Sequence, residues 1–582
     1  MSIAITGLGI VCAIGNDITS VLTSLRQKKS GIGIMRYLQS EHTELPVGEV
    51  KLSNEEMMSM LDLDKGEAWS RTTLMGAIAV RQALTQAGVF GLDGKKVALI
   101  SGTTVGGMDV TERYFEQMQE SDEMLHVITK HDCGSTTDDI ARICGLDGAE
   151  TITVSTACSS AVNSIIIGAE MLKSGEADIV IAGGAEALSK FHLNGFNTLM
   201  ILDKEQCRPF DATRAGLNLG EGAAFVVMQK SADVENGKAL AYVSGYGNRC
   251  DAFHQTASSE NGEGAYLAMT EALEMAGLKP QDIQYINAHG TGTPNNDSSE
   301  SAAIRRVFGN SIPPISSTKA FTGHTTSASG SIETVFSILA MQNGFVPASL
   351  GWEKQDDNCI TPSIGIDSID IENVVCNSFG FGGNDSSIIL SKTPHTEDEA
   401  TAQYEVAVLA KDEIEDMESL KEIKEFVSPI EARRMGKLMK ASCLTSMRVL
   451  RKANIERPDA IITATANGML ETSEQFLQDI CKNGEQLLKP TLFMQSTHNT
   501  IGSAIAIRLK CHGYNVTYTQ GERSPECAMK DAERLIRTGK AKTVLVGCHD
   551  EATPLYCGFM KRLGLPEPKM IDSRVILLGR KD

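Results

Sequence analysis

The sequence predicts an α/β protein in which half of a larger fold is repeated near the C-terminus. Three observations lead there. Short strand-like runs alternate with helical patterns along the chain. Four segments recur late in the order they hold early on, which duplication explains better than chance. A polar, acidic, unpatterned stretch at residues 394–404, PHTEDEATAQY, separates the copies and reads as a linker.

The elements follow in chain order. MSIAITGLGIVCAIGND opens with a first strand that runs into a Gly-rich turn. RTTLMGAIAVRQALTQAG (71–88) has the spacing of a helix. KVALISG (96–102) and TITVSTA (151–157) are strands, and SSAVNSIIIGAEMLKSG (159–175) is a helix leaving the second of them. DIVIAGG (178–184) and YINAHGT (285–291) are further strands. Glycine clusters at the strand ends, where turns need positive φ. In the late copy, DAIITATANGM (459–469) echoes VALISGTTVGGM (97–108), and KDAERLIRTGKA (530–541) echoes IGAEMLKSGEA (167–177). TVLVGCHDEA (543–552) echoes IVIAGGAEA (179–187), and SRVILLGRKD (573–582) echoes AAFVVMQKSAD (223–233).

Bulk properties agree with several soluble modules. A chain of 582 residues exceeds one ordinary domain, and 42% hydrophobic with 22% charged residues supports sizeable cores. A net charge of −20 argues against a general nucleic-acid binder. The deficit is uneven: residues 401–582 hold 27 basic and 24 acidic side chains, against 27 and 50 before them. That step marks a module boundary near residue 400. No apolar run is long enough for a membrane span, and the N-terminus lacks the basic region of a secretory signal. The 14 cysteines are scattered with no C-x-x-C pair, which points to a reducing, cytoplasmic setting with free thiols rather than to disulfides or zinc.

Four short motifs carry chemistry. Thr156-Ala157-Cys158-Ser159-Ser160 lies between a strand and a helix, so Cys158 sits near a helix N-terminus, where the dipole favours a thiolate. That fits an acyl-transfer nucleophile, and on this motif alone it fits an inert buried cysteine equally well. Asn287-Ala288-His289-Gly290-Thr291-Gly292-Thr293 puts a histidine at a strand end. Ser316-Ser317-Thr318-Lys319-Ala320-Phe321-Thr322-Gly323-His324 precedes a small-residue helix containing Glu333. Asn377-Ser378-Phe379-Gly380-Phe381-Gly382-Gly383 is a Gly-rich turn. Taken singly, each also fits a core histidine, a surface lysine or a tight turn.

Together and in this order, with ITGLGIV and RPFDATRAGLNLGEGA (208–223), they resemble the β-ketoacyl-[acyl-carrier-protein] synthases of the thiolase superfamily over about residues 1–392. The resemblance implies a thiolase-like layered α/β/α/β/α fold, with the extra half-module appended. It implies that Cys158 carries the acyl chain, while His289 and His324 promote loss of CO2 from a malonyl thioester. The backbone N–H groups of Cys158 and Phe381 match the oxyanion hole, Lys319 the lysine that sets the site's electrostatics, and Glu333 the glutamate behind it. Thr291 and Thr293 match positions touching the phosphopantetheine arm, and Leu217, Phe379 and Phe381 the acyl pocket. No cofactor or metal is implied, and the N-terminal Gly-x-Gly lacks the spacing of a dinucleotide loop. The implied partners are acyl carrier protein and a second copy of the chain in a homodimer. Cys-His-His is the pattern of the elongating, decarboxylating branch, whereas Cys376 reads as a core strand residue rather than a second catalytic thiol. Leu217 stands where phenylalanine is usual, and residues 126–146, which in relatives help form the dimer, look unusual.

These readings divide the chain into residues 1–250 with the cysteine, 251–393 with His/Lys/His, a linker at 394–403, and an inactive repeat at 404–582. Aligning the repeat with an offset of 364 sets Glu522 against Cys158, with Cys527 a turn or more into the next helix. Cys548-His549-Asp550 reads as packing, because neighbours on a strand face opposite ways. The repeat resembles stand-alone ketosynthase-like N-terminal domains of polyene and pigment pathways, notably in FMQSTHNTIGSAIAI (493–507), and also chain-length factors. It is expected to be structural or pocket-shaping, with Arg433, Arg434 and Lys437 as a further option for docking an acidic carrier protein. The rivals to a synthase are a non-catalytic chain-length-factor-like partner and a coenzyme A-dependent thiolase-like acyltransferase.

Overall fold

In the computed structural model, which describes residues 2–64, 66–91, 94–395, 403–414 and 417–581, the strand-like runs pair into one continuous order of fifteen strands. Three groups of five build that order. The first comprises β1 (Ile3–Cys12), β2 (Val97–Gly102), β3 (Glu150–Val154), β4 (Ile179–Glu186) and β5 (Gly222–Lys230). The second comprises β6 (Ala241–Cys250), β7 (Tyr285–Asn287), β8 (Ile315–Ser316), β9 (Asn373–Gly380) and β10 (Asn384–Ser391). The third comprises β11 (Val406–Glu413), β12 (Ala460–Ala464), β13 (Tyr514–Tyr518), β14 (Thr543–Glu551) and β15 (Ile571–Arg580).

Each group repeats one topology: β3-β2-β4-β5-β1, β8-β7-β9-β10-β6 and β13-β12-β14-β15-β11. In each the first three neighbours are parallel and the last two pairings antiparallel. The fold is thus the duplicated layered α/β architecture with a third half appended. β6 opens the second group, so the strand that the sequence division gave to residues 1–250 pairs in the second half. Most of the expected linker, residues 396–402, lies outside the described residues.

Helix composition follows from what covers each group. The helices Ser160–Ser174 and Ser329–Asn343 are buried along almost their whole length and form the central layer between the first two sheets. Their sequences are small or apolar on every side, as two covering sheets require. Among the described residues, no second half-sheet covers the matching helix of the third group, Ser524–Arg537. It accordingly carries Glu526, Lys530, Glu533 and Arg537 on one side and buries Cys527, Ala528, Leu535 and Ile536 on the other.

The third group joins the first edge to edge. β13 lies antiparallel to β3, with Tyr518 opposite Val154. Ser155 N–H donates to the Thr517 carbonyl and Thr519 N–H to that of Thr153, both at 2.9 Å. Tyr518 and Val154 are themselves equivalent residues of the repeat, so the contact is self-complementary, as in a two-fold dimer. The unusual segment around residues 126–146 supplies Cys133–Ile143, a helix at this seam, and Arg523 of the module pairs with its Asp138 at 2.9 Å. A homodimer therefore cannot pair through β3, because the module already occupies that edge.

The charge step near residue 400 is explained here. Among the described residues, every ion pair across the seam places the base on the module: Arg523–Asp138, Lys530–Glu150, Arg534–Glu176, Lys540–Glu170 and Arg562–Asp122. Lys540–Glu170, at 2.5 Å, is the most consequential, because Glu170 is buried and also accepts from the Tyr246 hydroxyl. Burial alone would raise the Glu170 carboxyl, but Lys540 and Lys173 outweigh it and hold the carboxyl below the usual range. Lys540→Ala removes the stronger of the two cations on this carboxylate while the Tyr246 hydroxyl and Lys173 remain, and because Lys540 is itself partly exposed the loss of unfolding free energy is expected to be ~1 kcal/mol. Lys581→Ala, which breaks an exposed pair with Glu405, should change it by less than ~0.5 kcal/mol in the same urea titration.

Candidate active site

The first two groups bring their strand ends together around Cys158. β3 ends at Val154, and the helix Ser160–Ser174 starts two residues after the cysteine. Ala157 turns the chain with φ 52, a left-handed conformation that a non-glycine residue holds only under constraint. The constraint is visible: Thr156 N–H donates to Ser160 Oγ at 2.9 Å, and Ser378 Oγ donates to the Cys158 carbonyl at 2.9 Å.

Two histidines face the thiol. His289 follows β7, and its N–H and that of Gly290 both donate to the buried Glu300 carboxylate at 2.8 Å. His324 follows the short helix Lys319–Thr322 and places Nε2 3.0 Å from Cys158 Sγ, with Nδ1 3.0 Å from Ser329 Oγ. The imidazole rings stand 5.3 Å apart at 81°. Behind them, Lys319 Nζ lies 2.6 Å from Glu333 Oε1 and 3.3 Å from His289 Nδ1. A lysine ammonium only donates, so Nδ1 of His289 must accept, and the ring proton sits on Nε2. Lys319 thereby fixes the tautomer of the histidine beside it.

Burial governs the site's charges. It pushes the Cys158 thiol up to about 11, against the pull of Lys319 and of the backbone N–H groups of Phe381 and Cys158. The thiolate expected from the helix N-terminus is therefore not the resting state: loss of solvent outweighs the dipole, and His324 is the base within reach. Burial, and then Lys319, hold both histidines well below their ordinary range, so they are neutral at neutral pH. Burial lifts Glu333 to about 7, opposed by Lys319. Cys158, His289 and His324 offer donor atoms within 4.8 Å of one another, a spacing an ion could span. The Lys319 ammonium beside His289 works against any cation there.

A cavity of about 360 Å³ opens onto the thiol. Leu217, His289, Thr291, Thr293, His324, Phe379 and Phe381 all line it, so the sequence-predicted substrate residues meet in one place. Lys319 and Glu333 lie behind the wall. Beyond Cys158 a narrow extension of about 30 Å³ runs between Phe191, His192 and Phe196 to Phe493, Ser496 and Thr497 of the module. Phe381 stacks on Phe196, which in turn packs against Phe493, with centroids 5.6 and 5.3 Å apart. Gly195 makes room for that ring: a Cβ there would meet Phe493 at 2.0 Å.

Among its described residues the module brings together no comparable centre. Glu522, opposite Cys158 in the repeat, is exposed, and Cys527 is buried inside the helix Ser524–Arg537. His549 turns inward with Nδ1 2.9 Å from Ser573 Oγ, while Asp550 accepts from Thr465 Oγ1 and the N–H groups of Ala466 and Asn467. Those three residues thus serve packing and a turn. Cys376 is fully buried in β9.

Sequence reading missed Glu300, Ser329, Phe196 and Phe493. Glu300 could have been found as the acid on the helix that follows His289. Phe493 could not, because its partners lie about 300 residues away in sequence. Glu186, at the end of β4, was also passed over; it accepts from Thr103, Thr104 and Ser327 and ties the loops around the site together.

The chain matches known proteins over nearly its whole length. Residues 1–233 match the beta-ketoacyl synthase N-terminal domain and residues 240–353 its C-terminal domain, while 410–568 match a second beta-ketoacyl synthase N-terminal domain model. Nodulation protein E of Rhizobium meliloti (strain 1021) is 33% identical over 403 residues, covering 66% of this chain and 97% of its own. The 3-oxoacyl-[acyl-carrier-protein] synthase 2 of Staphylococcus aureus (strain N315) is 32% identical over 413 residues, covering 67% and 98%. The solved structure of the PfaC keto synthase-chain length factor covers all of this chain and 78% of its own at a TM-score of 0.80 and 16% identity, a likeness of fold.

The electrostatics make a prediction for the thiol. Lys319→Met removes the cation that favours the Cys158 thiolate. The pH profile of Cys158 alkylation by iodoacetamide, followed by mass spectrometry, should move to higher pH. An unchanged profile would show that Lys319 does not act on the thiol.

Proposed function

Because the chain belongs to the beta-ketoacyl synthase family, we propose that it condenses an acyl group held on Cys158 with malonyl-acyl carrier protein, releasing CO2, in fatty acid or polyketide/polyene-type biosynthesis. The observation that carries this is the convergence of Cys158, His289 and His324 on one cavity, with Lys319 behind them. Cys158 Sγ attacks the acyl thioester as His324 Nε2 takes its proton. The N–H groups of Cys158 and Phe381 hold the oxyanion, as both already favour negative charge on the thiol. Collapse expels the phosphopantetheine thiolate, which recovers the proton from His324.

The malonyl thioester then enters past Thr291 and Thr293. Its carbonyl accepts from His289 Nε2–H and from His324, which has released its Nδ1 proton to solvent and taken one from solvent on Nε2, so that Nδ1 now accepts from Ser329. The bond to the carboxylate breaks, CO2 leaves, and the electrons form an enolate. The enolate carbon attacks the acyl-Cys158 carbonyl, the C–Sγ bond breaks, and the thiolate is reprotonated through His324. No metal or nucleotide enters these steps. A purely non-catalytic role would leave this constellation without a purpose. A coenzyme A-dependent thiolase-like role would need a second thiol at the site, and Cys376 is buried in β9.

The module's part in this reading is to close the acyl pocket, with Phe493 at its end. No helix among the described residues is long and apolar enough to cross a membrane, and a cytoplasmic setting remains our reading. The homodimer implied by the resemblance would have to use a face other than β3. Arg433, Arg434 and Lys437 are exposed on the module and remain available to an acidic carrier protein.

Incubation with acyl-carrier protein and then malonyl-carrier protein, followed by mass spectrometry, should show an acyl adduct on Cys158 and then a β-ketoacyl product. Acylation without decarboxylation would favour the thiolase-like role. Phe493→Ala should shift the preferred acyl chain to longer lengths, and an unchanged preference would remove Phe493 from the pocket's end.

A further inference from the structure

The turn Gly380–Gly383, which presents the Phe381 N–H to Cys158, is held from its far side by the module. Asn499 Nδ2 donates to the Phe381 carbonyl at 2.8 Å and to Asn384 Oδ1 at 2.7 Å. Both partners are acceptors, so the orientation of the amide is fixed. The helix behind it, Thr500–Leu509, presses directly on the turn: Gly382 has φ +87, and a Cβ there would meet Ser503 Oγ at 2.1 Å.

Asn499 occupies the N-cap position of that helix but makes no capping bond. Asparagine is among the best N-caps, because its side-chain oxygen normally accepts from the first turn. Here Oδ1 is instead buried without a partner. A buried acceptor left unsatisfied destabilises the fold, so a capping or folding role does not account for the arrangement. The first half of the chain supplies the contrast. Asp132, at the N-cap of the matching helix Cys133–Ile143, does cap it, accepting from Ser135 N–H at 2.9 Å. Of the two N-cap residues, one serves its own helix, and the other reaches across the seam to the turn beside Cys158.

We infer that Asn499 is a positioning residue for acyl transfer. By gripping the Phe381 carbonyl it fixes the Phe381 N–H over Cys158, so the oxyanion hole is complete only when the module is docked. This rests on the synthase reading of Phe381 given above. It gives the module a part in the chemistry although it holds no nucleophile.

Two half-reactions separate this role from a structural one. Acylation of Cys158 uses the Phe381 N–H, whereas decarboxylation of the malonyl thioester uses the two histidines. Asn499→Ser keeps a good N-cap but is too short to reach the turn, and Asn499→Ala removes both functions. In the full-length protein, both variants should lose about 10- to 100-fold in the single-turnover rate of Cys158 acylation by acyl-carrier protein. Malonyl-carrier protein decarboxylation should stay within about twofold of wild type, and the melting temperature of Asn499→Ser within a few degrees. Equal loss in both half-reactions, or loss that tracks the melting temperature, would overturn the inference, as would unchanged acylation. A wild-type protein that fails to acylate Cys158 would instead overturn the synthase reading, and this inference with it.

Discussion

The pairing of β3 with β13 is the constraint on which the rest of the structure depends. An edge strand left open would seek a partner, and β3 leads directly into the turn that carries Cys158. Pairing it within the chain fixes the strand, the strained Ala157 and Cys158 in one stroke. It also sets the helix Thr500–Leu509 against the Gly380–Gly383 turn and Phe493 against the cavity beyond Cys158. The protein thus builds a self-complementary interface of the kind two copies would form, with only half of the second copy. The half retained is the half that touches the first site.

The economy shows in the charges. The module carries a small net positive charge and the synthase a large negative one, and the seam pairs the module's bases with the synthase's acids. Exposed pairs of this kind add little stability one by one, so their consistent direction bears on docking the right surfaces in the right register. Apolar contact and the pairing of Lys540 with the buried Glu170 and Tyr246 do more to hold the modules together.

Much of this was legible in the sequence because it is written locally. Strand and helix periods located the elements, and the repeat offset set Glu522 against Cys158, a residue that proves to be exposed. The ordered motifs identified Cys158, His289, His324 and Lys319, which meet as expected. The protonation of Cys158 was not legible, because a helix N-terminus can be read from neighbouring residues whereas burial cannot. Nor were the roles of Phe493 and Asn499, which look like an ordinary aromatic and an ordinary helix cap until their partners across the seam are known. The same holds for the homodimer expectation: the segment around residues 126–146 looked altered, but only the pairing of β13 shows what it was altered to meet.

The account stands on a seam completed within one molecule, and amide hydrogen exchange at Ser155 and Thr519 tests it most directly. Both N–H groups donate across the β3–β13 junction, so they should exchange as slowly as the sheet interior and at a rate independent of protein concentration. Fast exchange, or protection that disappears on dilution, would mean that the edge is open or closed by another molecule, and would contradict the account.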